Sequence, residues 1–293
     1  MSQRPVSRPR PVLECAGREL DLSRPLVMGV INVTPDSFSD GGTLFSGGRP
    51  DLGLTLARAE SMLREGAAIL DIGGESTRPG AAAVPAQEEM ERVLPVVERL
   101  AAEFDAVISV DTSTPEVMAA AAEAGAGMLN DVRALSREGA LAAAAASGLP
   151  VCLMHMQGEP GSMQLNPQYQ DIVAEVAGYL MQRVAACESA GIARQRLLLD
   201  PGFGFGKSVA HNMALLRGLP TLGAHGLPLL VGLSRKSMIG KLLGREVDER
   251  LPASIALAVL AVERGAAIIR THDVAATLDA LAMCAALHEK DGT

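Results

Sequence analysis

The chain has 293 residues and a formal net charge of −8, and 48% of its residues are hydrophobic although only 2% are aromatic. The acidic balance and the lack of any Lys/Arg-rich run argue against binding to a nucleic-acid backbone or to an anionic membrane surface. No uncharged apolar run is long enough to span a membrane, whereas one α/β barrel commonly reaches this length.

The N-terminal residues are predicted to lie outside the folded domain. The first eleven residues are basic, contain no acid and are interrupted by prolines, and they lack the apolar stretch of a secretory signal. We therefore predict a flexible tail over residues 1–20, a folded domain over residues 21–293 and a cytoplasmic location. The four cysteines show no metal-binding spacing and are expected to be reduced thiols in or near the core: Cys15, Cys152, Cys187 and Cys284.

Eight short apolar runs, each followed by a loop and a segment of helical periodicity, organise the rest of the chain. They span residues 26–32, 68–71, 107–111, 128–131, 150–155, 196–200, 229–234 and 266–270. The runs are continuous rather than alternating, which is typical of parallel strands buried on both faces. Asp51, Asp171 and Pro115 mark helix starts, and glycines at 66, 125, 148, 191 and 265 mark helix ends.

Eight β–α units predict a single-domain (β/α)8 TIM barrel of the α/β class, with long loops after strands 1 and 2. The alternative is an open doubly wound sheet, but its dinucleotide-binding fingerprint is missing. The two long loops cover residues 33–50 and 73–85, and both mix Gly and Pro with hydroxyl and charged residues. Loops of this length over an active face are typical of lids or binding segments.

Polar residues end the predicted strands: Asn32, Asp71, Asp111, Asn130, Asp131, His155, Asp200, Ser234 and Arg270. In a barrel these positions converge on the catalytic face, so they predict an active site. The pattern leaves open whether His155 lines the pocket or plugs it.

A glycine-rich stretch, residues 201–208, follows the sixth strand. It resembles a phosphate-binding P-loop, but Pro201 replaces the first glycine that this motif requires. We expect instead that its glycines let the backbone approach a flat ligand, with Phe203 or Phe205 as an apolar wall. Residues 234–237 and 270–273 combine hydroxyls and cations after strands seven and eight, which predicts an anion site.

These motifs, taken in order, resemble the dihydropteroate synthase family. The segments that carry the resemblance are residues 28–42, 71–80, 108–112, 130–133, 153–158, 200–208, 234–237 and 270–272. The resemblance implies a Mg²⁺-dependent, homodimeric barrel enzyme of folate biosynthesis and a sulfonamide target. Its members join 6-hydroxymethyl-7,8-dihydropterin diphosphate to p-aminobenzoate, forming 7,8-dihydropteroate and pyrophosphate.

The resemblance also implies roles for individual residues. Asp111, Asn130, Asp200 and Lys236 would bind the pterin edge, with Met154 and Phe203 against its faces and Arg270 stacked on the ring. Asn32, Thr77, Arg270 and His272 would hold the diphosphate, with Asn32 also binding Mg²⁺. Phe38, Thr77, Arg78, Pro79, Lys236 and Ser237 would surround p-aminobenzoate. The catalytic set would be Asn32, Asp111, Lys236, Arg270 and His272.

Two other functions fit a pterin-binding barrel. One is a corrinoid-dependent methyltransferase, which is expected to lack the loop motifs at residues 34–38 and 76–80 that this chain has. The other is a catalytically silent paralogue that only binds pterin.

Overall fold

The computed structural model describes residues 11–34, 45–46, 49–76, 84–158, 163–164 and 166–288. The strands are β1 (Val12–Cys15), β2 (Arg18–Asp21), β3 (Leu26–Asn32), β4 (Phe45–Ser46), β5 (Arg49–Pro50), β6 (Ile69–Gly73), β7 (Val107–Asp111), β8 (Met128–Asp131), β9 (Val151–Met154), β10 (Leu197–Asp200), β11 (Leu229–Gly232) and β12 (Ala266–Thr271). The α-helices are α1 (Leu52–Arg64), α2 (Ala86–Glu103), α3 (Pro115–Glu123), α4 (Ala140–Ser147), α5 (Ile172–Ser189), α6 (Val209–Arg217), α7 (Leu219–Gly223), α8 (Ser237–Leu243), α9 (Leu251–Val262) and α10 (Val274–His288). Short 3-10 helices cover Arg194–Arg196 and Val247–Arg250.

Eight parallel strands close into a barrel in the order β10-β11-β12-β3-β6-β7-β8-β9, and helices alternate with them along the chain. This confirms the predicted (β/α)8 fold. The eight predicted runs coincide with the eight barrel strands to within two residues at either end. The continuous apolar runs were a reliable guide because both faces of these strands are buried.

The predicted helix signals also have the expected local structure. Asp51 and Asp171 are N-caps whose side chains accept backbone N–H groups of the first turn of α1 and α5, and Pro115 opens α3. All five helix-terminating glycines have positive φ, between 72° and 102°. Local chemistry therefore fixes where most of these helices begin and end.

The prediction that the flexible tail reaches residue 20 is wrong from Val12 onward. Strands β1 and β2 form an antiparallel hairpin, joined by Ala16 and Gly17, which both have positive φ. The hairpin strands alternate buried and exposed residues, and Leu13, Cys15 and Leu20 are buried. The turn signal was present in the sequence, but two strands of four residues are too short to show a clear period.

The hairpin closes the N-terminal end of the barrel. Its buried residues pack against a ring of side chains, one from each barrel strand: Met28, Ile69, Val107, Met128, Cys152, Leu198, Leu230 and Ile268. A second, larger apolar layer lies between the barrel and the helices. Full burial of one such side chain stabilises the fold by about 1.5–3 kcal/mol, so this end of the barrel serves stability.

All four cysteines are free and buried, as expected. Burial raises the pKa of Cys187 to about 11, and that of Cys15 and Cys152 is raised for the same reason, so these thiols stay protonated. Within the described ranges, none of the helices combines the length and the apolar character that a membrane span needs.

Candidate active site

Two residues beyond the apolar ring, most side chains that point into the barrel are polar. Because side chains alternate along a strand, the same face is next occupied by Val30, Asp71, Ser109, Asn130, Met154, Asp200, Gly232 and Arg270. A cavity of about 530 Å³ opens above this layer at the carboxyl ends of the strands. Polar strand ends and the cavity thus meet at the face that the barrel uses for catalysis.

Every described residue to which the family resemblance gives a role lines this cavity, whereas the polar strand ends Asp71, Asp131 and His155 do not. The lining residues with such a role are Asn32, Asp111, Asn130, Met154, Asp200, Phe203, Lys236, Ser237, Arg270 and His272. The predicted contacts Phe38, Thr77, Arg78 and Pro79 lie outside the described residues. The described residues that the resemblance singles out therefore share one cavity.

Arg270 is the centre of a buried ion cluster on the cavity floor. Its Nε donates to Asp71 Oδ2 at 2.6 Å, and its Nη2 donates to Asp111 Oδ2 at 3.0 Å. Burial by itself lowers the pKa of Arg270, but the two carboxylates outweigh it and raise that pKa further. Burial raises the pKa of Asp111 to about 7, with Arg270 opposing the shift and Asp71 adding to it. Asp111 is therefore an unusual carboxyl group that changes its protonation near neutral pH.

The other floor residues are committed to fixed hydrogen bonds. Asn130 Nδ2 donates to Asp71 Oδ2 at 3.1 Å, which leaves the Asn130 carbonyl oxygen as an acceptor. Asp200 Oδ1 accepts the Gly202 N–H at 2.7 Å, and burial raises the Asp200 pKa. With Asp111, the floor thus offers three side chains that accept hydrogen bonds from a ligand.

A single lysine faces these acceptors. The Lys236 Nζ lies 4.3 Å from the centroid of the Phe205 ring, which is a cation–π contact. Burial lowers the pKa of Lys236 to about 8, and Arg270 adds to the shift, while Asp200 and Asp111 oppose it. The cavity therefore pairs acceptors on one side with an ammonium donor on the other, next to two aromatic rings. This arrangement suits a flat heterocycle with donors and acceptors on its edge.

The glycine-rich stretch after β10 is held together by its own lysine. Lys207 is buried, and its Nζ donates to the Gly202 and Phe205 carbonyls, both at 2.9 Å, and contacts His155 Nδ1 at 2.9 Å. Burial lowers the pKa of Lys207 to about 7. Lys207 shapes the segment and is not available to bind phosphate, in agreement with the rejection of a P-loop.

The expected reason for the glycines was only partly right. A Cβ on Gly202 would collide with the backbone carbonyl of His155, and one on Gly206 with that of Gln157. Glycine at both positions therefore lets the segment after β9 pack closely against this stretch. Gly204 and Gly202 also face cavity residues, since a Cβ on Gly204 would lie 3.2 Å from Lys236 Cδ and one on Gly202 would lie 3.3 Å from Met154 Cγ. Phe203 and Phe205 both line the cavity, as expected.

His155 belongs to the scaffold of this segment. It is buried, it does not line the cavity, and its ring packs edge-on against Tyr179. Burial lowers the His155 pKa to about 3, and Lys207 adds to the shift, so the ring is neutral and its Nδ1 can accept a hydrogen bond from Lys207 Nζ. Of the two roles that the sequence left open for His155, lining the pocket or plugging it, the structure therefore favours the second.

The predicted anion site joins the segments after β11 and β12. The Ser234 Oγ lies 3.0 Å from His272 Nδ1 and accepts the His272 N–H at 3.3 Å. Burial and the nearby Arg270 lower the pKa of His272 to about 3, so the ring is neutral. A hydroxyl that accepts from the backbone can donate its proton to Nδ1, which leaves Nε2–H as a donor to an anion.

Two arginines fix the frame of this anion site. Arg235, at a positive φ of 56°, donates from Nε to Asp273 Oδ2 at 3.0 Å and so ties the two segments together. Arg58 of α1 donates from Nη2 to the His272 carbonyl at 2.9 Å. Neither contact follows from spacing in the sequence, since the partners are far apart along the chain.

The base of the second long loop is anchored by residues to which the sequence gave no role. Arg92 of α2 donates from Nη1 to the Gly74 carbonyl at 2.8 Å, and Arg133 lies 3.4 Å from Glu75. Glu89, fully buried beneath this base, accepts from Thr114 Oγ1 at 2.7 Å, and burial raises its pKa. These contacts define the wall from which the loop leaves.

Asp71 is the main omission of the sequence-based site. It was recognised as a polar strand end but assigned no function, and it makes the shortest contact to Arg270. The available signal was its place on the inward face of β6, two residues after Ile69 of the apolar ring.

Comparison with known proteins supports one family throughout. The sequence model of the family described as "Pterin binding enzyme" matches residues 28–272. The dihydropteroate synthase of Escherichia coli strain K12 is 57% identical over 265 residues, which are 90% of this chain and 92% of that protein. The enzyme of Haemophilus influenzae is 53% identical over 262 residues, covering 89% and 94% of the two chains.

Solved structures give the same result. The Yersinia pestis dihydropteroate synthase in a sulfonamide drug complex has a TM-score of 0.92 at 52% identity, covering 95% of this chain and all of that one. The Xanthomonas albilineans enzyme in complex with 7,8-dihydropteroate has a TM-score of 0.84 at 48% identity, covering 96% and 99% of the two chains. The chain therefore belongs to the pterin-binding enzyme family, among the dihydropteroate synthases.

Proposed function

We propose that the protein is a transferase that joins 6-hydroxymethyl-7,8-dihydropterin diphosphate to p-aminobenzoate, giving 7,8-dihydropteroate and pyrophosphate. The observation that carries this proposal is the floor of the cavity, where Asp111, Asn130 and Asp200 offer acceptors and Lys236 offers a donor. A buried amino-oxo-pyrimidine needs such a matched set, since an unpaired buried polar group costs about 1–3 kcal/mol. Met154 and Phe203 would cover its flat faces, and Arg270 would stack on the ring and reach the diphosphate.

Asn32, Arg270 and His272 are proposed to bind the diphosphate. Arg270 is cationic, His272 can donate from Nε2, and Asn32 ends β3 on the same side of the cavity. All three would stabilise the negative charge of the departing diphosphate, which is the main electrostatic demand of this transfer. Thr77, from the second loop, is proposed to contact the diphosphate as well.

The residues present fit a Mg²⁺ ion. Magnesium prefers oxygen ligands and is commonly held by one or two side chains together with substrate phosphates and water. The carbonyl oxygen of Asn32 is such a ligand, and among the described residues no hydrogen bond occupies its amide. When bound, the ion would supply neutralisation of the diphosphate charge.

The p-aminobenzoate ring is proposed to lie at the outer side of the cavity. Ser237 and Lys236 stand there at the start of α8, where a hydroxyl, backbone N–H groups and an ammonium can face a carboxylate. Phe38, Thr77, Arg78 and Pro79 would enclose the ring from the two long loops. Sulfonamides, which imitate this substrate, are proposed to bind the same place.

The test is direct. Purified protein is mixed with Mg²⁺, the pterin diphosphate and p-aminobenzoate, and dihydropteroate and pyrophosphate are measured. Formation of both, lost on chelation of Mg²⁺, is expected. A methyltransferase would instead require a methyl donor and a corrinoid protein, and a silent pterin-binding protein would bind the pterin diphosphate without turnover.

We also propose that two copies of the chain form a homodimer in the cytoplasm. An apolar surface supports this assembly, because α9 packs against α10 and large hydrophobic residues remain exposed on and around this pair. They are Leu242, Leu243, Val247, Leu251, Leu260, Met283 and Leu287. Clusters of this kind mark association surfaces. Light scattering after chromatography is expected to give twice the chain mass, and Met283→Glu with Leu287→Glu is expected to give monomer.

A further inference from the structure

Asp71 occupies a position from which it can act only through its neighbours. It lies in the middle of β6 with no exposed surface, and it is not among the residues that line the cavity. A carboxylate buried in this way is unfavourable unless it is paired. Its contacts therefore define its role.

One oxygen of Asp71 makes all of its hydrogen bonds. Oδ2 accepts from Arg270 Nε at 2.6 Å and from Asn130 Nδ2 at 3.1 Å. The first bond holds the guanidinium in a plane that brings Nη2 to Asp111 at 3.0 Å, and it leaves the remaining N–H groups of Arg270 for the cavity. The second bond fixes which end of the Asn130 amide faces the ligand, because only the nitrogen can donate to a carboxylate.

Among the described residues, the other oxygen of Asp71 has no hydrogen-bond partner. Oδ1 is buried without a hydrogen bond, and so is the Oγ of Ser109, the residue paired with Asp71 in the neighbouring strand β7. Asparagine at position 71 can therefore place its carbonyl oxygen where Oδ2 lies and its amide nitrogen where Oδ1 lies. It keeps both bonds and loses only the charge.

We propose that Asp71 is a positioning residue for the pterin site, which sets the orientation of the Arg270 guanidinium and of the Asn130 amide through a single oxygen atom. This role rests on the proposed function and adds a residue that the ligand does not touch. The orientation of the polar groups on the cavity floor therefore depends on three strands together: β6, β8 and β12.

The experiment compares Asp71→Ala and Asp71→Asn with Ser109→Ala, a control at the same depth and in register with Asp71. Affinity for the pterin diphosphate is measured by calorimetry, and kcat and the KM of each substrate by steady-state kinetics. Asp71→Ala is expected to weaken pterin affinity by about 100-fold, because Arg270 and Asn130 both lose the hydrogen bond that orients them. Asp71→Asn is expected to stay within about fivefold of the wild type, and Ser109→Ala within about twofold, since they retain the two bonds.

A purely structural role would predict a different outcome. At saturating pterin diphosphate, the KM for p-aminobenzoate is expected to be the same in every folded variant, so the defect is confined to the pterin side. Unchanged pterin affinity in folded Asp71→Ala, or a loss in Asp71→Asn as large as in Asp71→Ala, would overturn the proposal.

If Asp71→Ala does not fold, Asp71→Ser replaces it, since its hydroxyl is too short to reach Arg270. If the wild-type protein binds the pterin diphosphate but forms no dihydropteroate, the proposed function fails. The calorimetric comparison still decides the role of Asp71 in that case.

Discussion

The two ends of the barrel interior are built from the same strands, but one end is packed with apolar side chains and the other carries polar side chains around a cavity. At the N-terminal end, eight apolar side chains and a hairpin pack into one buried cluster. Two residues further along the same faces, carboxylates, an amide and an arginine surround a cavity of about 530 Å³. Two of the three buried side-chain atoms that lack a hydrogen-bond partner among the described residues, Asp71 Oδ1 and Ser109 Oγ, lie in this polar layer.

This difference shows how one barrel divides its tasks. The apolar ring contributes burial energy, whereas the polar layer holds ionisable groups away from water at a cost in stability. A rigid base is what allows the polar groups to remain oriented when the site is empty. Substitutions at the two ends are therefore expected to have separable effects on stability and on activity.

The largest effect is expected from Arg270→Met in the polar layer. Removal of the guanidinium leaves Asp71 and Asp111 buried without their cation, and breaking a buried ion pair costs about 3–5 kcal/mol. We expect kcat/KM for the pterin diphosphate to fall by about 1,000-fold. Arg264→Met, just after α9, where the guanidinium donates an exposed hydrogen bond to the Leu260 carbonyl, is the matched control. Activity within about tenfold of the wild type in a folded Arg270→Met protein would contradict the central place of this cluster.

At the apolar end, we expect a substitution to lower stability and to leave activity nearly unchanged. Leu230→Ala removes a fully buried side chain from the ring and is expected to lower the free energy of unfolding by about 2–5 kcal/mol. At a temperature where the variant is folded, kcat/KM should stay within about twofold of the wild type, because the cavity lies beyond the ring. Chemical denaturation and steady-state kinetics measure the two quantities, with Leu54→Ala on the exposed side of α1 as control. A large loss of activity in folded Leu230→Ala would show that the two ends are coupled.

An intermediate effect is expected for Lys236→Ala. The ammonium is the donor that faces the acceptors of the floor, so its loss should weaken binding of the pterin by about 1.5–3 kcal/mol, the range for a hydrogen bond to a charged group. Calorimetry measures this change. Lys241→Ala, on the exposed side of the same helix α8, should leave affinity unchanged. Equal affinity of wild type and Lys236→Ala would remove Lys236 from the pterin site.

The smallest effect concerns pH. Burial raises the pKa of Asp111 to about 7, so below that pH its carboxyl is protonated in the empty site and must lose a proton to accept from the ligand. Burial lowers the pKa of Lys236 to about 8, above which the donor loses its charge. Affinity for the pterin should therefore be highest between about pH 7 and pH 8 and fall up to tenfold per unit on either side.

The variants assign each limb of this profile. Asp111→Asn is expected to lack the acidic limb and to keep the alkaline one, as measured by calorimetry between about pH 5.5 and pH 9.5. An acidic limb that persists in Asp111→Asn would assign it to another group of the cluster.

Asp111 also links pH to stability. Its pKa in the folded protein lies above the ordinary carboxyl value of 3.8, so its contribution to stability is fully present below that value. The contribution is lost as the pH rises through about 7, which is again a property of the polar end.

Much of the fold could be read from the sequence because its signals are local. Continuous apolar runs mark strands buried on both faces, and Asp51, Asp171 and the terminal glycines mark helix ends by their own hydrogen bonds and backbone angles. Polar residues at the ends of those runs identified the described part of the site, since parallel strands bring their carboxyl ends together. The hairpin at Val12–Cys15 and Arg18–Asp21 was missed because strands of four residues are too short to show a clear period.

What the sequence determined by itself is therefore the barrel, the end of it at which polar residues collect and many of the residues that line the cavity. The tertiary structure decided how those groups are used. It assigned Lys207 and His155 to the scaffold, paired Arg235 with Asp273 and placed Asp71 beneath Arg270. These contacts join residues from different strands and loops, and the energy of a buried charge depends on all the charges packed around it. No local pattern encodes that sum, because the partners become neighbours only when the barrel closes.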